Sequence, residues 1–253
     1  MADMAEISQL AKSSVQLPIE WYLNPKILDI EKKLLFDNGP GYVGHEIMVP
    51  QVGDYYVLES MKNAKLLVRN EQGIELISNI CRHRQALILE GRGNTKSIVC
   101  PLHRWTYALD GKLLGAPHFD QNPCVHLEKT PVQNWNGLLF NGKRSVSKDM
   151  ANLGVLKDFD FSGYLLDRIR LDHYNCNWKT FIEVYLEDYH VNPFHPGLGN
   201  FVCTEDLIWE FGDWYSVQTV GVNNGHLERS GTSVYAKWQK QVLLQNDGKL
   251  PPH

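Results

Sequence analysis

Two short blocks, Cys81-Arg-His83 and Cys100-Pro-Leu-His103, each place one thiol and one imidazole side by side, and sixteen residues separate them. Thiolates and neutral imidazoles are ligands for zinc and for iron. The order within the blocks discriminates. Zinc fingers usually pair Cys with Cys and His with His along the chain, whereas each block here mixes the two. Mixed pairs suit two loops that clamp a [2Fe–2S] cluster from opposite ends, with both Cys on one iron and both His on the other. Imidazoles in place of thiolates leave such a cluster less negative, so it accepts an electron more readily. A structural zinc site on the same four residues is the alternative.

A second constellation runs from Asn177 to His195 and contains Glu183, Glu187, His190 and Pro193. On one continuous helix Glu183, Glu187 and His190 are spaced i, i+4 and i+7 and share a face. Pro193 cannot donate to a helical ladder, so the helix should stop near it. That leaves His195 free to fold back toward His190. Two imidazoles beside a carboxylate-rich face suit a 2-His-1-carboxylate iron with open coordination positions. Hydrogen-bonded core histidines are the competing explanation. Asp188 lies about 100° around the helix from Glu187 and reads as a structural or solvated carboxylate.

The residues flanking these ligands sharpen both readings. Residues 79–84 read Asn-Ile-Cys-Arg-His-Arg and residues 100–107 read Cys-Pro-Leu-His-Arg-Trp-Thr-Tyr. The pair resembles the Rieske domain of the Rieske non-haem iron oxygenases, the ring-hydroxylating α subunits. Gln85 and Arg104 stand where that family usually has glycine. Neither block carries the extra cysteine with which respiratory Rieske proteins staple their loops. The segment from Asn177-Trp-Lys179 to His195 resembles the same family's iron-site pattern, except that Val184 replaces a common Asn. The resemblance implies that His190 and His195 bind iron, and that Glu187 links the cluster of one subunit to the iron of its neighbour. The family's third iron ligand is a carboxylate from far downstream. Glu205, Asp206, Glu210 and Asp213 occupy no position that the pattern marks, so the third ligand is not identified. Glu187 completing the triad itself is the alternative, at the loss of the bridge. The chain reaches His253 before that downstream region, so the expectation is a catalytic domain shortened at its C-terminus.

The elements that must position these ligands are legible in outline. The 253 residues are 43% hydrophobic and 11% aromatic, enough for one large or two modest cores. The formal net charge of −4 argues against a nucleic-acid surface, and no apolar run approaches a membrane span. No basic segment followed by an apolar one opens the chain. Besides the two ligand cysteines, Cys124, Cys176 and Cys203 read as reduced and buried in a cytoplasmic protein. Residues 18–37 have helical spacing that Asn38-Gly-Pro-Gly41 breaks. Gly39, Gly41 and Gly44 match a dinucleotide fingerprint, which is rejected because a helix precedes it and no helix follows. Short β-rich runs then alternate with turns such as Asp110-Gly111 and Asn136-Gly137. Farther on, the pattern predicts a strand over 163–171, a helix over 175–189, a long strand over 208–222 and a helix over 234–244.

The predicted fold is α+β: an N-terminal helical segment (1–40), an all-β Rieske domain (41–145), and a partial helix-plus-antiparallel-sheet catalytic domain (146–253). The cofactors that the resemblance implies are a Rieske [2Fe–2S] cluster and a mononuclear Fe(II). The implied activity is oxygen-dependent hydroxylation or demethylation of an organic, aromatic substrate. The resemblance also implies electrons from a separate reductase or ferredoxin, and assembly as a homotrimer. A ferredoxin-like electron carrier and an inactive truncated remnant are the alternative functions.

Overall fold

The computed structural model describes residues 17–156, 159–186, 190–195 and 203–221. The chain forms two compact units, one of residues 35–172 and one of residues 1–34 with 173–253. The architecture is α+β.

The 35–172 unit is antiparallel β-structure with short helical turns. Its largest sheet has five strands in the order β5 (Arg92–Asn94), β2 (Asp54–Val57), β3 (Lys65–Asn70), β4 (Gly73–Ser78) and β9 (Lys129–Thr130). Three-stranded sheets are formed by β1 (Gly41–His45), β11 (Leu138–Asn141) and β10 (Val132–Trp135), and by β6 (Ile98–Val99), β7 (Thr106–Tyr107) and β8 (Leu113–Gly115).

The sequence of β3 explains how these sheets stack. Successive side chains of a strand point to opposite faces, yet Leu66, Leu67 and Val68 are all fully buried. Leu66 and Val68 join one core with Ile77, Ile98, Tyr107 and both ligand cysteines. Leu67 joins a second core with Val43, Met48, Leu76 and Leu139. A strand covered on both faces reads as a continuous apolar run, not an alternating one. The first of these cores ends in the metal-ligand loops, so the packing that stabilises the sheet also holds the thiols.

Asn136-Gly137 closes the β10–β11 hairpin in two residues, with Trp135 opposite Leu138. Both turn residues have positive φ, 49° and 86°. That is the type I′ geometry whose twist matches the strands it joins, and Asn-Gly is its preferred pair.

In the other unit, Asn24-Pro25 splits the expected N-terminal helix into Glu20–Leu23 and Pro25–Glu31. Asn24 caps the second piece through the Lys26 N–H, and proline suits the first helical turn. The expected 175–189 helix is also shorter, covering only Trp178–Glu183. Tyr185 and Leu186 N–H groups bond three residues back to Ile182 and Glu183, the tightened geometry of a closing turn. A second helical turn, Val191–Phe194, begins after His190. The helix therefore ends before the expected common face of Glu183, Glu187 and His190 could continue, and Glu187 itself lies outside the described residues. The expected 208–222 strand is instead a hairpin of β12 (Cys203–Phe211) and β13 (Ser216–Gly221), reversed where the Gly212 N–H bonds the Tyr215 carbonyl. Residues 163–171 belong to no strand. The 234–244 segment lies outside the described residues. No described helix is long and apolar enough to cross a membrane.

Candidate metal centres

Both ligand blocks fold into the same turn. The Cys81 N–H bonds the Ala86 carbonyl at 2.9 Å, and the Gln85 N–H bonds back to Cys81 O at 3.0 Å. In the second loop the Cys100 N–H bonds Trp105 O at 2.8 Å, and the Arg104 N–H bonds Cys100 O at 3.1 Å. Gln85 and Arg104 occupy equivalent corners, with φ of 57° and 60°. These are the two positions where glycine is usual in the resembled family, and the geometry shows why. A left-handed residue with a Cβ costs roughly 1–2 kcal/mol. Both side chains point outward, and both residues are exposed.

The first loop is anchored by Asn79, which is fully buried. Its amide donates to the carbonyls of Asn63 and Leu89 and accepts from the Leu89 N–H, each at 2.9 Å. A buried amide with its bonds made is a strong positional constraint, and no local residue pattern marks this one.

The loops bring Cys81, His83, Cys100 and His103 together. Both thiols are 1% exposed. The His83 and His103 rings are 4.7 Å apart, centre to centre, at 77°. His83 stacks on Trp105 at 4.9 Å with the planes 6° apart, and Phe119 meets the edges of both. Burial, His103 and the Arg84 cation hold the His83 imidazole below its usual pKa, which favours the neutral form a metal requires. Burial raises the Cys100 thiol and the adjacent Cys81 adds to that, while the Leu102 and His103 N–H groups act the other way. Two buried polar atoms lack any protein partner here: His83 Nδ1 and Trp105 Nε1. An orphaned imidazole nitrogen beside two buried thiols is what a ligand set kept for a metal group leaves open. The four residues fit a [2Fe–2S] cluster by donor type, burial and two-and-two division.

Tyr107 is a further member that the motif contained without revealing a role. Its hydroxyl accepts from the Arg82 N–H at 3.1 Å and lies 3.4 Å from Cys81 Sγ. Burial, then the Cys81 sulfur, push the phenol well above its usual pKa, so it keeps its proton. A metal-bound Cys81 has no proton to give, so the phenol is the donor of that pair. Hydrogen bonds to cluster sulfurs raise the reduction potential. Tyr107→Phe should therefore lower the cluster potential by on the order of 50 mV, near the 59 mV that a tenfold change represents for one electron. A redox titration followed by paramagnetic resonance checks this, and an unchanged potential would mean the contact lapses when the cluster is bound.

In the second region, the rings of His190 and His195 lie 5.4 Å apart at 79°. Among the described residues no three His, Cys, Asp or Glu side chains converge on one metal position. Glu187, Asp188 and the side chains of Glu205 and Asp206 lie outside the described residues. Glu183, on the helix itself, is occupied by the Tyr22 hydroxyl, which donates to it. Neither Glu210, bonded by the Tyr215 hydroxyl at 3.0 Å, nor Asp213 joins the two imidazoles.

The helix leading to these imidazoles is clamped to the N-terminal helices. Asn177 caps it through the Lys179 N–H at 3.0 Å and donates to the Tyr22 carbonyl at 2.9 Å. The Glu31 carboxylate accepts from Trp178 Nε1 at 2.9 Å and from Lys179 Nζ at 2.7 Å. Glu31 and Lys179 are only 9% and 6% exposed. The Lys179 ammonium also sits 5.5 Å from the Tyr22 ring centre and 5.2 Å from that of Trp178.

Comparison with known proteins agrees with both halves. Residues 41–135 match the Rieske [2Fe-2S] domain, and residues 158–247 match the ring hydroxylating alpha subunit catalytic domain. The chain is 57% identical over 253 residues to a putrescine 2-hydroxylase of Ralstonia nicotianae, covering all of this chain and 69% of the relative. It is 46% identical to a putrescine 2-hydroxylase of Bordetella bronchiseptica over 99% of this chain and 62% of that one. Among solved structures, a quaternary ammonium Rieske monooxygenase bound to L-carnitine aligns with a TM-score of 0.65 at 23% identity, over 80% of this chain and 62% of that one. Naphthalene 1,2-dioxygenase from Rhodococcus sp. aligns with a TM-score of 0.61 at 23% identity, over 80% and 52%. The chain belongs to the Rieske non-haem iron oxygenases, a family of oxidoreductases that carry a Rieske [2Fe–2S] cluster and a mononuclear iron. Members work with a reductase or ferredoxin on small organic substrates.

Proposed function

We propose that this chain is the oxygenase component of a Rieske system that hydroxylates an aliphatic amine. The carrying observation is the 57% identity to a putrescine 2-hydroxylase along the whole chain. More distant relatives are named for glycine betaine and carnitine, which are also aliphatic nitrogen compounds. That moves the substrate class away from the aromatic one expected from the family resemblance.

In this reading Cys81 and Cys100 hold one cluster iron, and His83 and His103 hold the other. His190 and His195 supply two ligands to the mononuclear iron, with the third ligand unassigned. Bound there, the cluster supplies electrons singly and the iron supplies the position at which dioxygen is activated. The protein's own part is to favour the neutral form of His83, to fix both thiols through the closed turns, and to donate a hydrogen bond from Tyr107. Glu187 meets His103 of a neighbouring subunit, within a homotrimer. The domains are a helical segment (1–40), a Rieske domain (41–145) and a catalytic portion (146–253), in a cytoplasmic protein.

Two measurements test this. Anaerobically purified chain should contain acid-labile sulfide and show the paramagnetic signature of a mixed His/Cys cluster, with a potential in the range of about −150 to +300 mV. One zinc and no sulfide would overturn the assignment. With a reductase and reduced nicotinamide, putrescine should gain one oxygen atom by mass spectrometry. Oxidation of an aromatic panel without oxidation of putrescine would overturn the substrate class.

A further inference from the structure

Trp105 stacks on a ligand imidazole, yet its indole N–H meets no acceptor in the protein. The residue is 3% exposed, and its Nε1 is buried without a partner among the described residues. Buried donors are almost always satisfied, so an orphan calls for an account. Trp178 shows the ordinary outcome: its Nε1 donates to the Glu31 carboxylate at 2.9 Å.

Solvent does not reach Trp105 Nε1, which its own chain encloses. The acceptors inside the fold are few. The His83 ring lies parallel to the indole, 4.9 Å away and 6° off. An indole N–H points within its own plane, so a ring stacked on that plane is not in line to accept. Phe119 stands at 86° to the indole and offers at most a weak π face. Of the buried core residues packed with Trp105, only Cys81, Cys100 and Tyr107 carry a side-chain heteroatom. The Tyr107 hydroxyl is already engaged by the Arg82 N–H and the Cys81 sulfur. That leaves sulfur.

His83 Nδ1 is orphaned as well. Two stacked rings thus each hold one unused polar atom. An iron–sulfur group satisfies both: iron takes the imidazole lone pair, and sulfur accepts from the N–H. A zinc ion would satisfy only the first. We infer that the Trp105 indole N–H donates a hydrogen bond to a sulfur of the bound cluster and raises its reduction potential. This rests on the assignment of a Rieske cluster to Cys81, His83, Cys100 and His103, and adds a donor outside that ligand set. Reduction adds negative charge that the sulfurs share, so a fixed donor favours the reduced form. The dry core strengthens the bond.

The test is pulsed paramagnetic resonance of the reduced, cluster-loaded full chain, grown with tryptophan isotopically labelled at the indole nitrogen. An indole nitrogen and an exchangeable proton should couple to the cluster. The nitrogen coupling should vanish in Trp105→Phe, which keeps a stacking ring without the N–H. It should persist in Phe119→Leu, which removes the π face beside the indole. Trp105→Phe should also make reduction about tenfold less favourable, a fall of about 59 mV for one electron. The labelled wild type decides by itself if Trp105→Phe fails to load its cluster. No tryptophan nitrogen coupling in the wild type overturns the inference. So does a coupling that survives Trp105→Phe or is lost in Phe119→Leu, or a reduction equilibrium that Trp105→Phe moves by less than about twofold. Zinc without acid-labile sulfide would instead remove the cluster assignment. A sulfide-containing chain with the mixed His/Cys signature and no indole coupling leaves that assignment standing and removes only the Trp105 bond.

Discussion

Glu187→Gln should leave cluster and iron loaded while cutting coupled turnover by on the order of 10–100-fold or more. The His103 side chain lies at the surface of the second ligand loop. A metal-bound imidazole almost always gives its remaining N–H to a carboxylate, carbonyl or water, and that partner fixes its orientation. In the resembled family the carboxylate at the Glu187 position plays this part across a subunit boundary. Glutamine keeps the size and one acceptor but loses the charge, so the metals should stay while the link weakens. The measurement is single-turnover oxidation of pre-reduced protein mixed with dioxygen and substrate, following the cluster spectrum and product together. Cluster oxidation at the wild-type rate with full product would remove Glu187 from the electron path.

Lys179→Met should destabilise the protein by about 3–5 kcal/mol, the usual cost of leaving one member of a buried ion pair without its partner. Glu31 accepts from both Lys179 and Trp178, and both charges are more than nine-tenths buried. Without the ammonium, the Glu31 carboxylate keeps one neutral donor in a place where water does not replace the other. Glu31→Gln combined with Lys179→Met should recover most of the loss, because replacing both members of a buried pair is often close to neutral. Urea unfolding of the two single variants and the double completes the cycle. A loss under about 1 kcal/mol for Lys179→Met would place the pair in the range of a solvent-exposed salt bridge. Since this pair clamps the helix that leads toward His190, the single variant should also lose mononuclear iron before it loses the cluster.

Features with a local physical origin were legible in the residues. The two mixed Cys/His blocks, the Asn136-Gly137 hairpin and the rejection of the glycine fingerprint at 39–44 all depend on a few adjacent residues. There, ligand chemistry or backbone sterics leaves few choices. Gly41 indeed opens strand β1, and only a three-residue 3-10 turn, Glu46–Met48, follows it. The longer elements were less legible. The 175–189 segment has a helical pattern, but its helix ends at Glu183, where Val184 and Tyr185 add little propensity and the Glu183 carboxylate is taken by Tyr22. The 208–222 run of apolar and aromatic residues suits a strand equally well straight or folded, and only the pairing across Gly212–Tyr215 made it a hairpin.

The amino-acid sequence by itself displayed the Cys/His spacing, the turn chemistry and the family, because each is written in residues a few positions apart. The tertiary structure alone decided that the Tyr107 phenol reaches the Cys81 sulfur, that Asn79 ties the first ligand loop, and that Glu31 is the counter-charge of Lys179 across 148 positions of chain. Tyr107, Asn79 and Glu31 look ordinary in sequence. Each acquires its role only when burial removes water as the competing partner and the fold brings fixed protein donors and acceptors within reach.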